Sequence, residues 1–205
     1  MKAVHLRRDH LQPFRTQLFR AVRFTSFLLM LGGAAELSFA QPLPVIRQAP
    51  EVTFRLPGGH EKKLSDYRGK VVALEFILTT CSHCQAASHV LSKLQEDFGA
   101  KGFQALDVAV NTTDEGLVRE FSTNQQTTFP VGWLDLGSLQ ANVQAMMQYM
   151  GMSPMDRPMM PQMLLIDRAG KVRYQTPPPS DHEGVSEPLL RYRVMELLGI
   201  KASGR

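Results

Sequence analysis

Cysteine is almost absent from this chain: its 205 residues contain two, Cys81 and Cys84. That scarcity excludes a disulfide-framework scaffold of the kind small exported domains use when their core is too small. Beyond residue 40 no apolar run reaches the ~20 residues a membrane-spanning helix requires. Internal repeats are absent, and low-complexity sequence is confined to Pro177-Pro178-Pro179. An excess of one charge sign is missing too. Residues 1–40 hold Lys2, Arg7, Arg8, Arg15, Arg20 and Arg23 against Asp9 and Glu36, which accounts for the whole formal charge of +4. The remainder is neutral, so nothing electrostatic argues for a nucleic-acid partner.

What is present begins with a leader. A basic segment ending at Arg23 precedes FTSFLLMLGGAA, and Ser38-Phe39-Ala40 offers small residues where a signal peptidase reads them. Cleavage after Ala40 is expected, giving an extracytoplasmic product, periplasmic or secreted, that starts at Gln41. The long basic segment and Glu36 keep an uncleaved membrane anchor as the competing reading. No cysteine lies near the cut, so a lipoprotein anchor is not expected. Hydrophobic content of 43% and charged content of 20% are those of a globular protein. One domain over 51–205, after a lead-in at 41–50, accounts for the rest.

Along that domain the patterns alternate. Residues 52–56 (VTFRL) read as a strand, Pro57-Gly58-Gly59 as a turn, and Lys63-Leu64 as the start of the return. Residues 71–78 (VVALEFIL) form a nearly continuous apolar run, the pattern of a central strand buried on both faces. After the CSHC segment, Val90, Leu91, Leu94 and Phe98 recur at helical spacing and stop near Gly99 and Gly102, which predicts a helix whose first turn carries the cysteines. Residues 103–110 (FQALDVAV) are the next strand. Thr112 with Glu115 makes a capping box for a helix burying Leu117, Val118 and Phe121. A short strand at 129–134 (FPVGWL) leads to a helix capped by Ser138 that buries Leu139, Val143, Met146, Met147 and Met150. Residues 162–167 and 171–175 form a hairpin, and Ser186 opens a last helix through Leu189, Leu190, Met195 and Leu198. This order predicts an α/β protein of thioredoxin-like fold, a central mixed sheet flanked by helices with an N-terminal β-hairpin extension.

The cysteines sit where that order makes them chemically useful. A cysteine at a helix start meets unpaired amides and the positive end of the helix dipole, both of which favour a thiolate. Cys81 is so placed and is the expected attacking sulfur; Cys84, one turn inward, is the resolving one. Other uses of the spacing fit less well. A structural staple closes too small a loop to stabilise a fold much. Zinc needs two further ligands, and His60, His83, His89 and His182 form no second cluster. His83, between the sulfurs, has two readings: an imidazolium that stabilises the thiolate and so raises the reduction potential, or a solvated histidine at an exposed helix start. Glu75 is the one charge in the apolar strand, six positions before Cys81. A buried carboxyl there must be protonated or paired, which suits it to pass protons to and from Cys84. The alternative is an edge position with the carboxylate in water.

An acid six residues before CxxC, then FPV followed by Leu134-Asp135, then a proline leading into LLIDRAGKV, resembles the TlpA/ResA group of thioredoxin-like proteins within the AhpC/TSA redoxin superfamily. The likeness runs over about residues 49–175. It implies a cis bond before Pro161, set against the CxxC, with the backbone of Met160 pairing a substrate segment as an added strand. It also implies an enzyme, a thiol-disulfide oxidoreductase that needs no cofactor, acts on disulfide-containing proteins and is recharged by a membrane thiol donor, in the reducing direction. Where the group carries tryptophan and proline, this chain has Thr80 and His83; Thr80 and Met160 are the expected substrate contacts. The histidine is shared with the CPHC of DsbA-type oxidases. Methionine is concentrated at Met146, Met147, Met150, Met152, Met155, Met159, Met160 and Met163. It serves core packing, an adaptable rim, or thioether binding of Cu(I).

Two other functions compete. A peroxiredoxin-like thiol peroxidase, an antioxidant activity, carries a threonine three residues before the reactive cysteine; that position is Leu78, with Thr79 and Thr80 off register. A Sco-type Cu(I) carrier uses a wider cysteine spacing and a histidine near the final hairpin, which this chain lacks.

Overall fold

The nearly continuous apolar run at 71–78 supplies the middle of the sheet. The computed structural model describes residues 47–176 and 185–201. The leader, residues 41–46 of the lead-in, Pro177-Pro178-Pro179 and His182 therefore lie outside the described residues. Eight strands form one mixed sheet: β1 (Arg47–Gln48), β2 (Thr53–Leu56), β3 (His60–Lys63), β4 (Val71–Ile77), β5 (Phe103–Ala109), β6 (Val131–Trp133), β7 (Gln162–Ile166) and β8 (Lys171–Gln175), in the order β1-β8-β7-β4-β5-β6-β2-β3. Among the described residues, four α-helices, α1 (Ser82–Phe98), α2 (Glu115–Asn124), α3 (Leu139–Tyr149) and α4 (Glu187–Leu198), flank it. This is the thioredoxin-like sandwich, with the β2–β3 hairpin added at one edge.

β4, β5 and β6 run parallel, as the helical crossovers α1 and α2 require, while β7 returns antiparallel beside β4. Every residue of β4 is buried. Its alternate side chains feed two cores: Val71, Ala73 and Ile77 meet Leu91 and Leu94 of α1 and Val194 of α4, and Val72, Leu74 and Phe76 meet Met146 and Met150 of the α3 segment. The hairpin attaches through the pair Arg55 and Trp133. Gly132 makes this possible, because a Cβ there would run into the Arg55 carbonyl.

Several local expectations are corrected. The return strand of the hairpin starts at His60, because Pro57-Gly58-Gly59 forms the whole loop and both glycines take positive φ. The cap of α2 is Asp114, not Thr112: its carboxylate accepts from Gly116 N at 2.7 Å, while Thr112 Oγ1 accepts from Asp114 N at 3.0 Å. Glu115 instead accepts from Gly58 N and pairs with Arg119. Leu117 is 46% exposed and Leu139 47%, since α2 and the start of α3 press only one stripe on the sheet. Asn142 takes the inward place in α3, donating to Leu134 O at 2.7 Å and accepting from Leu136 N at 3.0 Å. Ser138 caps α3 through its hydroxyl, which accepts from Ala141 N. In α4, Arg193 and Val194 are buried alongside Leu190 and Leu198, and Leu189 and Met195 are half-buried.

Candidate active site

The chain leaves β4 at Ile77 and turns sharply, Cys81 N donating to Leu78 O. A reciprocal pair of hydrogen bonds, Thr79 N to Asn111 Oδ1 and Asn111 Nδ2 to Thr79 Oγ1, ties this turn to the end of β5. Cys81 then caps α1 in an extended conformation, and its Sγ accepts from the Cys84 amide at 3.4 Å. A sulfur in that position accepts from one of the otherwise unpaired amides of the first turn. The two thiols are unbridged, Cys81 half-exposed and Cys84 fully buried. Burial pushes the Cys84 thiol well up, and its hydrogen bond toward Cys81 adds to the shift.

The Met160–Pro161 bond is cis. It delivers the Met160 carbonyl to the site, where the Cys81 thiol donates to it at 3.8 Å. Gln162, the first residue of β7, is fully buried; its amide donates to Met159 O and accepts from Thr176 Oγ1, anchoring the loop from below. Thr80 is exposed beside Cys81 and lines a polar cleft of about 270 Å³ with Thr79, Gln85, Glu120, Asn124 and Gln125. His83 is exposed on the first turn of α1, over a shallow depression shared with Val90 and Val185. A larger cavity, about 410 Å³ among Phe76, Leu134, Met146 and Tyr149, opens on the opposite face of the sheet and has no cysteine on its walls. The methionines divide: Met146, Met150, Met152 and Met163 are buried, Met147 and Met160 half-buried, and Met155 and Met159 exposed. Among the described residues, no three His, Cys, Asp or Glu side chains converge as a metal site.

Glu75 is completely buried, which removes the edge-position reading. Its side chain lies on the α1 face of β4, and directly opposite it on β5 stands a second buried acid, Asp107. Among the described residues neither Glu75 oxygen meets a hydrogen-bond donor, and Asp107 Oδ1 is also unpartnered. A proton held between the two supplies the missing donor. Burial drives Glu75 well above the ordinary carboxylate range, and the Asp107 charge adds to the shift. Asp107 is pushed up to about 6 by burial, opposed by hydrogen bonds from Glu75 and Ser88. Ser88 Oγ lies 2.6 Å from Asp107 Oδ2 and 3.0 Å from the Cys84 carbonyl.

The structure thus brings Cys81, Cys84, Met160 and Pro161 together above the Glu75 carboxyl. Asp107 and Ser88 are the residues sequence reasoning missed. VVALEFI and FQALDVA each carry a single acid at the fifth position, a pattern that becomes a pair only because β4 and β5 align without offset in the fold.

The Redoxin family model matches residues 45–190. Thioredoxin-like protein YneN of Bacillus subtilis is 34% identical over 42% of this chain and 51% of its own length. Thiol-disulfide oxidoreductase ResA of Geobacillus kaustophilus is 36% identical over 40% of this chain and 47% of its own. The chain thus spans about half the length of these curated relatives. A Chlorobium tepidum structure, provisionally named thiol:disulfide interchange protein DsbE, superposes with TM-score 0.59 at 28% identity, covering 77% of this chain and all of that one. With the family model matching most of the chain, and with relatives and a solved structure of the thiol-disulfide oxidoreductase kind, the chain belongs to the Redoxin family, as a redoxin of the TlpA/ResA type.

Proposed function

We propose that this chain is an exported thiol-disulfide oxidoreductase that reduces disulfides in protein partners. The observation that carries the reading is the pairing of a half-exposed Cys81, whose sulfur accepts the Cys84 amide, with a buried Cys84 one turn inward. Cys81 thiolate attacks one sulfur of a partner disulfide and releases the other as a thiolate. Cys84, after losing its proton toward Glu75, attacks Cys81 Sγ; the partner's second thiolate leaves, and the pair is now a disulfide. Two electrons have passed to the partner. Met160 offers its backbone beside the sulfur, so an extended partner segment can lie along it as an added strand, with Thr80 on the other flank. Pro161 holds that loop against the cysteines. His83, exposed on the same turn, is the residue that tunes the potential.

Export is supported by the signal-like leader in the sequence. Outside the cytoplasm the oxidised pair has to be recharged by a membrane-embedded thiol donor. The peroxidase reading is weaker, since Leu78 stands where a peroxide-binding hydroxyl is needed.

The test is a trap. A Cys84→Ala variant incubated with a disulfide-bearing peptide should accumulate a covalent adduct on Cys81 that dithiothreitol releases. Absence of the adduct, together with failure of the oxidised wild type to take electrons from a dithiol, would overturn the reading.

A further inference from the structure

A single buried acid cannot serve as a base at neutral pH when its environment keeps it protonated. Glu75 is in that position, which leaves open what finally receives the Cys84 proton. We propose that Asp107 is the positioning residue that makes Glu75 a relay: the two carboxyls share one proton, Asp107 is the ionised member, and Ser88 holds it in place against α1. This rests on the thiol-exchange reading above.

The geometry points to it in three ways. Glu75 and Asp107 are register partners on adjacent parallel strands, side by side on one face, and both are 0% exposed. Three of their four oxygens lack any donor, and the fourth, Asp107 Oδ2, is held by Ser88. Facing them from α1 are Cys81, Cys84 and Ser88, and the charge of Glu75 is felt at Cys84. Their other strand neighbours, Met163 on β7 and Val131 on β6, are apolar. The third buried charged residue among those described, Arg193 of α4, lies over the Tyr174 ring at 4.7 Å. Among the described residues no cation answers the pair, so two ionised carboxylates are too costly there and one proton stays.

In the resolving step the Cys84 S–H proton moves to a Glu75 oxygen as Glu75's own proton moves to Asp107. The Cys84 thiolate forms its bond to Cys81 Sγ, and the bond from Cys81 to the partner breaks with its electron pair on the departing thiolate. Glu75 ends as it began, Asp107 holds the transferred proton, and that proton later passes to solvent. The Ser88 hydroxyl serves both states: it donates to Asp107 when that carboxylate is ionised, and turns to the Cys84 carbonyl when Asp107 is protonated.

Infrared titration of the carboxyl bands in the reduced full-length chain tests this without any partner, so its failure is separate from failure of the exchange reading. Wild type should show two steps, a lower one belonging to Asp107 and an upper one to Glu75. Asp107→Asn should leave one step lying between them, about one pH unit or more below the wild-type upper step. Ser88→Ala, a second variant that leaves both acids in place, should move the lower step upward. With a disulfide peptide, resolution at neutral pH should slow about tenfold in Asp107→Asn and recover as pH rises. A Glu75 titration unmoved by Asp107→Asn, or a lower step unmoved by Ser88→Ala, would overturn the proposal.

Discussion

The Cys84 amide points at Cys81 Sγ from 3.4 Å, while the Cys84 side chain itself is buried beneath it. The two thiols are therefore unequal by construction. Brief treatment of the reduced native protein with iodoacetamide should modify Cys81 at least about tenfold faster than Cys84, because the outer sulfur is accessible while burial both shields the inner thiol and keeps it protonated. Peptide mapping reads the ratio. Equal labelling would mean that the inner thiol is open to solvent.

The Glu75–Asp107 pair makes stability depend on pH. Folded Asp107 titrates near 6 and ordinarily at 3.8, and Glu75 is raised as well. The folded state thus binds more protons than the unfolded chain, and stability present below about pH 4 is lost as pH rises through 6 and beyond. The shift at Asp107 alone corresponds to about 3 kcal/mol. Asp107→Asn should therefore gain about 2–3 kcal/mol over wild type between about pH 4 and pH 8. Urea unfolding at the two pH values measures it; a gain that does not change with pH contradicts the assignment.

How much of this was legible in the sequence depends on which residue is asked. A strand covered on both faces must be apolar throughout, so VVALEFIL announced the centre of the sheet, and Glu75 stood out against it. The CSHC helix start and the final hairpin were readable for similar local reasons, whereas the cis bond before Pro161 was implied by the resemblance to the TlpA/ResA group. Asp107 was not, because a lone acid in a strand acquires its meaning only from what lies across the ladder, and register is a tertiary fact. Leu117 and Leu139 follow helical spacing yet sit outward, since periodicity gives the width of a stripe but not which edge residue the sheet covers. At α2, Thr112 and Asp114 are both competent caps; the backbone chose the acid adjoining the first turn.

Asn142 is a structural anchor. It satisfies Leu134 O and Leu136 N from inside α3 and is itself completely buried. Asn142→Ala should cost about 1–3 kcal/mol, from one buried and one half-buried hydrogen bond and the buried Leu134 carbonyl left stranded. Thermal unfolding should fall accordingly, with Cys81 alkylation in the folded protein unchanged.

Gly132 should be equally intolerant for a steric reason. Gly132→Ala pushes a methyl group into the Arg55 carbonyl and Phe54, so the β2–β3 hairpin should detach from β6. Hydrogen exchange over residues 53–63 should accelerate while that of β4 and β5 stays slow. Unchanged protection in the hairpin would show that β6 can yield.

The central claim is that Cys81 and Cys84 form a reversible two-electron couple poised to reduce. Equilibration against glutathione at graded ratios, with the two forms separated by mass, tests it most directly. The account predicts interconversion of dithiol and Cys81–Cys84 disulfide, lost on replacing either cysteine, with the disulfide persisting unless reduced glutathione is in large excess. A pair that never forms the disulfide, or one that traces of glutathione reduce completely, would contradict it.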